Sequence, residues 1–147
     1  MGTLLAHTLL LWGLRLSLEV PNQFRKYKGM NLMIIRREKT PIMHRIVEHN
    51  GIVHFGGVLA DDLNGVSMRG QTTQICAKLD KLLADAGTDK SKLISATLFI
   101  ADMKLKHEMN DVWISWLEAG DLPTRATIGV SDLGQDVLIE VVVTAAR

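Results

Sequence analysis

From Met43 onward the apolar positions switch between a period of two and a helical period, and turn residues mark each switch. Arg45-Ile46-Val47-Glu48-His49 and Ile52-Val53-His54-Phe55 flank Asn50-Gly51, two positions that tolerate positive φ and so predict a two-residue hairpin. Gly56-Gly57 ends the second strand, where a backbone without Cβ atoms lets a ligand or another chain approach closely. After the loop Asp61-Asp62-Leu63-Asn64-Gly65, the residues Ile75, Leu79, Leu82, Leu83 and Ala86 recur at helical spacing. They predict a helix from about Ser67 to Ala86, with Lys78, Asp80, Lys81 and Asp85 on its solvated face and Gly87 as its stop.

Lys92 to Ile100 alternates as a strand, with Ile94, Ala96, Leu98 and Ile100 on one parity. A second helix is predicted from about Lys104 to Ala119, where Leu105, Met109, Val112, Trp113, Trp116 and Leu117 form an apolar stripe and Gly120 follows. Trp113 and Trp116, three residues apart on a helix, read as packing against a sheet rather than as a platform for bases. Two more strand-like segments follow, 122–130 and 137–143. The order β-β-α-β-α-β-β predicts an α+β subunit: a mixed sheet of four to six strands with two helices on one face. The other face stays partly apolar and needs a cover, which predicts an oligomer.

Residues 1–42 read as a leader and residues 43–147 as the domain. The leader holds an apolar cluster, Leu4-Leu5, Leu9-Leu10-Leu11-Trp12 and Leu14, followed by the basic Arg25-Lys26-Tyr27-Lys28. No Lys or Arg precedes the cluster, Arg15 interrupts it, and no small-x-small cleavage site follows. It also falls short of the roughly 20 apolar residues a membrane span needs, so neither an export signal nor a membrane anchor is expected.

The 147 residues fit one domain with room for a real core. A hydrophobic share of 47% with 22% charged residues is that of a globular protein. A net charge of +1 provides no bulk attraction to nucleic acid or acidic lipid, so any such partner would need a local patch. Cys76 is the single cysteine; it excludes an internal disulfide, suits a reducing cytoplasm, and reads as a small core residue. Phosphate-cradling loops, the dinucleotide fingerprint, His-Glu-x-x-His and Gly-x-Ser-x-Gly are all missing from the sequence, so no cofactor and no metal are expected. His44, His49 and His54 fall on the first hairpin, where cross-strand proximity is the one route to a weak metal site.

One carboxylate, Glu140, interrupts the apolar run Val137 to Val143, and Arg125 lies in the segment before it. Ser131 to Asp136 carries turn chemistry, so an antiparallel pairing is expected to set the two segments side by side. A charge in such a strand is costly to bury unless something pairs with it or uses it. The pair therefore reads either as a structural ion pair or interface salt bridge, or as an arginine fork for a substrate carboxylate with a glutamate that handles water or protons.

Three blocks point further. Gln71-Thr72-Thr73-Gln74-Ile75, then Ala96-Thr97-Leu98-Phe99-Ile100-Ala101-Asp102-Met103 with Met109-Asn110 and Trp113, then Pro123-Thr124-Arg125-Ala126-Thr127 with Ile139-Glu140-Val141, resemble the RidA (YjgF) family over residues 43–147. The resemblance implies a chorismate-mutase-like subunit, a homotrimer with its sheets packed into a central barrel, and clefts between subunits. It also implies hydrolysis of reactive 2-imino (enamine) acids to 2-keto acids and ammonia, without a cofactor. Arg125 aligns with the family's substrate-carboxylate arginine and Glu140 with its acidic residue, while Gly56, Gly57, Thr127 and Asn110 fall at substrate-binding positions. The chain departs at several places: Met43 stands at the family's tyrosine position, Gly56 at its usual serine, and Thr127 where many members carry cysteine. A non-catalytic trimer that binds small carboxylates is the alternative, and an RNA-cleaving or translation-inhibiting protein is a further one that the near-zero net charge disfavours. Deleting residues 1–29 is expected to leave oligomeric state and melting temperature nearly unchanged, as measured by light scattering and thermal unfolding.

Overall fold

Six strands form one sheet in the order β1-β2-β3-β6-β4-β5. They are β1 (Ile35–Lys39), β2 (His44–His49), β3 (Ile52–Phe55), β4 (Leu93–Ile100), β5 (Thr124–Gly129) and β6 (Ile139–Ala146). Among the described residues two helices, α1 (Met68–Asp85) and α2 (Lys106–Trp116), join this sheet in a mixed α+β architecture. The computed structural model describes residues 33–147, and the part of the expected leader over 1–32 lies outside the described residues.

Ile75, Leu79 and Leu83 of α1 and Met109 and Trp113 of α2 share one core with alternate strand residues, including Ile46, Val53, Phe55, Leu98, Ile139, Val141 and Val143. Both helices thus cover the same side of the sheet, as the spacing predicted. Asn50 and Gly51 take φ of 53° and 75° at the β2–β3 turn, the positive values the hairpin requires. The Ser67 hydroxyl caps α1 by accepting from the Gly70 amide. At the other end Gly87, at φ 78°, lets its amide reach the Ala84 carbonyl while the Thr88 amide reaches that of Leu83.

Four expectations need correction. The sheet begins at β1, ahead of Met43, because Ile35-Arg36-Arg37-Glu38-Lys39 has too few apolar residues to show a period yet pairs along β2. Ile94 is exposed rather than on the core parity: the ladder with β6 slips between Leu93 and Ser95 and turns Leu93 inward instead. The second helix runs only to Trp116, where Leu117 becomes extended and the Lys90 ammonium binds the Trp116 carbonyl at 2.6 Å. The segments of Arg125 and Glu140 do not pair, because β4 lies between them, parallel to β5 and antiparallel to β6. The physical reason is burial: the Val-rich β6 takes a central slot with two neighbours, and the Thr-, Arg- and Gly-containing β5 is left at the edge.

At the far end of the sheet Glu48 is only 7% exposed. Arg147 Nη1 donates to both of its oxygens at 2.7 and 2.9 Å, and Arg37 Nη2 donates at 3.3 Å. This cluster ties β1 and the end of β6 to β2. Glu48→Ala strands two guanidinium groups and is expected to cost about 2 kcal/mol in denaturant unfolding, below the figure for a fully buried pair because both arginines still reach water.

Candidate functional site

A bulge in the sheet builds the first half of the site. Val53 and His54 pair with Ala145 and Thr144, whereas Val58 pairs with Val141. Phe55, Gly56 and Gly57 therefore stand opposite only Val142 and Val143, one extra residue on the β3 side. Phe55 and Val58 both point into the core, which leaves Gly56 and Gly57 toward the face that neither α1 nor α2 covers.

Glu140 lies on that same open face, since its strand neighbours Ile139 and Val141 are fully buried on the other. Its carboxylate folds directly over Gly57: a Cβ there would lie 1.7 Å from Oε1. The Met43 thioether lies over Gly56, with Sδ 3.2 Å from the corresponding Cβ position. Met43, Gly56, Gly57 and Glu140 are thus one cluster.

Arg125 and Thr127 lie on the other side of the sheet, and Asn110 lies on α2. Arg125 and Thr127 are in register with Ala96 and Leu98, both buried beneath the helices, so they project to the helix side of the edge strand. Met103, in the 3₁₀ turn that leads into α2, packs on Gly129 at the end of β5. The start of α2 therefore lies over the side of β5 that presents Thr127. Thr127 Oγ1 and Asn110 Oδ1 are both inaccessible and have no hydrogen-bond partner, a costly state for polar atoms unless a ligand or water completes them.

Within one chain the two halves do not meet. Glu140 shares a cross-strand row with Phe99 and Ile128, so Arg125 is displaced three residues along the strand and two strands across, about 10 Å in each direction and on the opposite face. Among the described residues neither Arg125 nor Glu140 has an ion-pair or side-chain hydrogen-bond partner. The ion pair considered from the sequence is not formed within one chain.

Other candidates fall away by geometry. His44 and the pair His49 and His54 point to opposite faces of the hairpin, and among the described residues no three His, Cys, Asp or Glu groups converge on a metal position. Burial pushes the Cys76 thiol up to about 12, so it carries no thiolate at neutral pH. Trp113 is buried and Trp116 packs beside it at 5.2 Å between ring centres while donating to Asp80, as expected of core packing. Asp102 caps the 3₁₀ turn by accepting from the Lys104 amide.

A family model described as Endoribonuclease L-PSP matches residues 40–147. The chain belongs to this family. A RutC family protein from Haemophilus ducreyi is 34% identical over 114 residues, covering 78% of this chain and 97% of the relative. YoaB from Escherichia coli, also of the RutC family, is 29% identical and matched over 78% of this chain and 99% of its own length. Among solved structures, a YjgF-family protein from Neisseria meningitidis superposes with a TM-score of 0.75 at 29% identity, covering 79% of this chain and 96% of that one.

In this member of the L-PSP family Gln71 has a role that the sequence reading did not assign. It is 0% exposed; its amide nitrogen donates to the carbonyls of Asp136 and Val66, and its oxygen accepts from the Leu138 amide. It therefore fixes the approach to β6 two residues before Glu140 and sets where that carboxylate emerges. The signal was present: an amide inside the apolar stripe of a helix must find buried partners. Gln74 and Lys78 secure the loop beyond the bulge, through the amides of Asp61 and Asp62 and the Leu59 carbonyl. Lys78 also hydrogen-bonds the Asp61 carboxylate and holds it below the usual carboxylate range.

Gly57→Ala is expected to force Glu140 off the bulge and cost about 1–2 kcal/mol of stability, as overpacking does. In a Glu140→Ala background the same substitution should cost almost nothing. Unfolding of the four proteins in this cycle measures the coupling, and additive costs would contradict the contact.

Proposed function

We propose that the chain hydrolyses 2-imino (enamine) acids to 2-keto acids and ammonia, as a homotrimer in which Arg125 of one copy faces Gly56, Gly57 and Glu140 of the next. The observation that carries this reading is a pair of built but unused opposite charges that lie on different faces of one sheet. Each is half of a carboxylate-binding, water-activating site, and a second copy is the simplest way to join them. The open face of the sheet, with Ile128 and Ile94 exposed and Val47, Phe99 and Val142 half-buried, would be the lining of the chorismate-mutase-like barrel.

The chemistry follows from the substrate. The imino acid carboxylate takes the planar bidentate guanidinium of Arg125, which fixes the C=N carbon relative to Glu140. With the substrate nitrogen protonated as an iminium, Glu140 orients a water and accepts its proton as the oxygen adds to that carbon, and the nitrogen becomes a neutral amine. Glu140 returns that proton to the amine, the C–N bond breaks with its electron pair on nitrogen, and the hydroxyl proton passes to the departing ammonia as the carbonyl forms. Thr127 Oγ1 and Asn110 Oδ1, both without a protein partner, supply polar groups beside the Arg125 half. The reducing cytoplasm, where such imines would arise, is the proposed compartment.

A second reading, a non-catalytic trimer that binds small carboxylates, is favoured by one observation: Met43 and Gly56 leave the Glu140 half without hydroxyl groups. An RNA-directed activity gains no support from a net charge of +1 and a buried Trp113.

Keto-acid release from enzymatically generated imines, timed with and without the protein, separates catalysis from binding. Arg125→Ala is expected to lose about 3 kcal/mol of transition-state stabilisation and Arg125→Lys nearly as much, because lysine keeps the charge but not the fork. Glu140→Gln should lower turnover while keto-acid binding persists. Co-assembling Arg125→Ala with Glu140→Gln subunits should restore about one quarter of the sites, since random mixing pairs intact Arg and Glu halves that often. No recovery in demonstrably mixed oligomers would mean that both residues act within one chain.

A further inference from the structure

Two departures from the family pattern, Met43 and Gly56, touch each other. Met43 closes the turn between β1 and β2, and its backbone is held on both sides. Its amide donates to Thr40 Oγ1 at 3.0 Å, and its carbonyl accepts from the Thr40 amide at 2.7 Å and the Thr40 hydroxyl at 3.0 Å. Pro41 fixes a further dihedral in the same short turn. The side chain therefore leaves from a rigid base and crosses the bulge, with Sδ and Cε 3.2 and 3.5 Å from the place a Cβ at residue 56 would occupy. A serine at position 56 would press on the sulfur, so a methionine here and a glycine there fit as a unit.

One residue further on, the Glu140 carboxylate lies over Gly57. A thioether and a carboxylate thus lie one above each of two consecutive glycines, and Met43 remains 40% exposed toward the open face. Beside the group that would activate water, the wall is an unbranched, polarisable apolar chain that adapts to irregular shapes. It provides no hydrogen-bond partner strong enough for a substrate hydroxyl, amide or second carboxylate, each of which would be desolvated against it without compensation.

We propose that the Met43–Gly56 contact is the specificity wall of the site and selects 2-imino acids with flexible apolar side chains over polar and acidic ones. This rests on the imine-hydrolysis reading above and names the substrate class of the same site. Arg125 takes the carboxylate common to every substrate, and the wall distinguishes what the substrate carries on its third carbon and beyond.

Imines generated from alanine, leucine, methionine, serine and aspartate test the assignment. From the alanine to the leucine imine, kcat/KM should rise about fourfold for each methylene that the wall removes from water. The aspartate imine should be at least tenfold poorer than the leucine imine. Met43→Gln, close in length but polar, should flatten or invert that order with the trimer and melting temperature retained, and Gly56→Ser should reduce the leucine imine most. Calorimetry with 4-methyl-2-oxopentanoate and 2-oxosuccinate reads the wall without turnover, and the first should bind at least tenfold tighter. Hydrolysis with no apolar preference, or a preference unchanged in Met43→Gln, overturns the wall and leaves the activity standing. No hydrolysis of any imine overturns the activity, and equal affinity for the two keto acids then overturns the wall as well.

Discussion

The placement of β6 between β3 and β4 constrains everything else in this molecule. A strand with partners on both sides satisfies all its backbone groups within the sheet, so its side chains can be almost wholly apolar. Ile139, Val141, Val143 and Ala145 fill one side with core. The alternation that buries them also forces Glu140 to the other side, and the buried Gln71 amide fixes the register by which the strand enters. Moving β6 by one residue would bury the carboxylate and expose the valines, a cost large enough to hold the charge where it is.

The glycine bulge is the counterpart of that constraint on β3. One extra residue opposite Val142 and Val143 turns Gly56 and Gly57 toward the open face, and the missing Cβ atoms make room for Met43 and Glu140. Polar chemistry is therefore set on a sheet by local irregularity rather than by a loop. The strands around it remain regular and stiff, so the carboxylate is held by packed backbone.

Local signals were legible in the sequence and non-local ones were not. Asn50-Gly51 needs positive φ at both positions, and that chemistry is written in two residues. The apolar stripe of α1 and its Gly87 stop are equally local. Which strands pair depends on burial integrated over the whole sheet, so the turn residues 131–136 suggested a hairpin that the central slot for β6 forbids. Strand β1 was silent because it is held by a ladder and by Arg37 on Glu48 rather than by apolar burial. Of the candidate site, Arg125, Glu140 and the glycines stood out as charges and small residues in strands. Their division between two faces followed only from register, and Gln71 showed as an amide at a stripe position whose partners, the Asp136 carbonyl and the Leu138 amide, lie more than sixty residues away.

Strand β5 is an edge, and it presents unpaired backbone along Thr124-Arg125-Ala126-Thr127-Ile128-Gly129. Free edges recruit strands from other molecules, and a charge on the strand is a common safeguard against this. Arg125 is the one ionisable group on β5. An arginine in this position guards the edge against uncontrolled growth of the sheet. Neutral replacements at 125 consequently carry a colloidal liability during synthesis and refolding that is separate from any effect on chemistry, and yield and turbidity will register it before activity does.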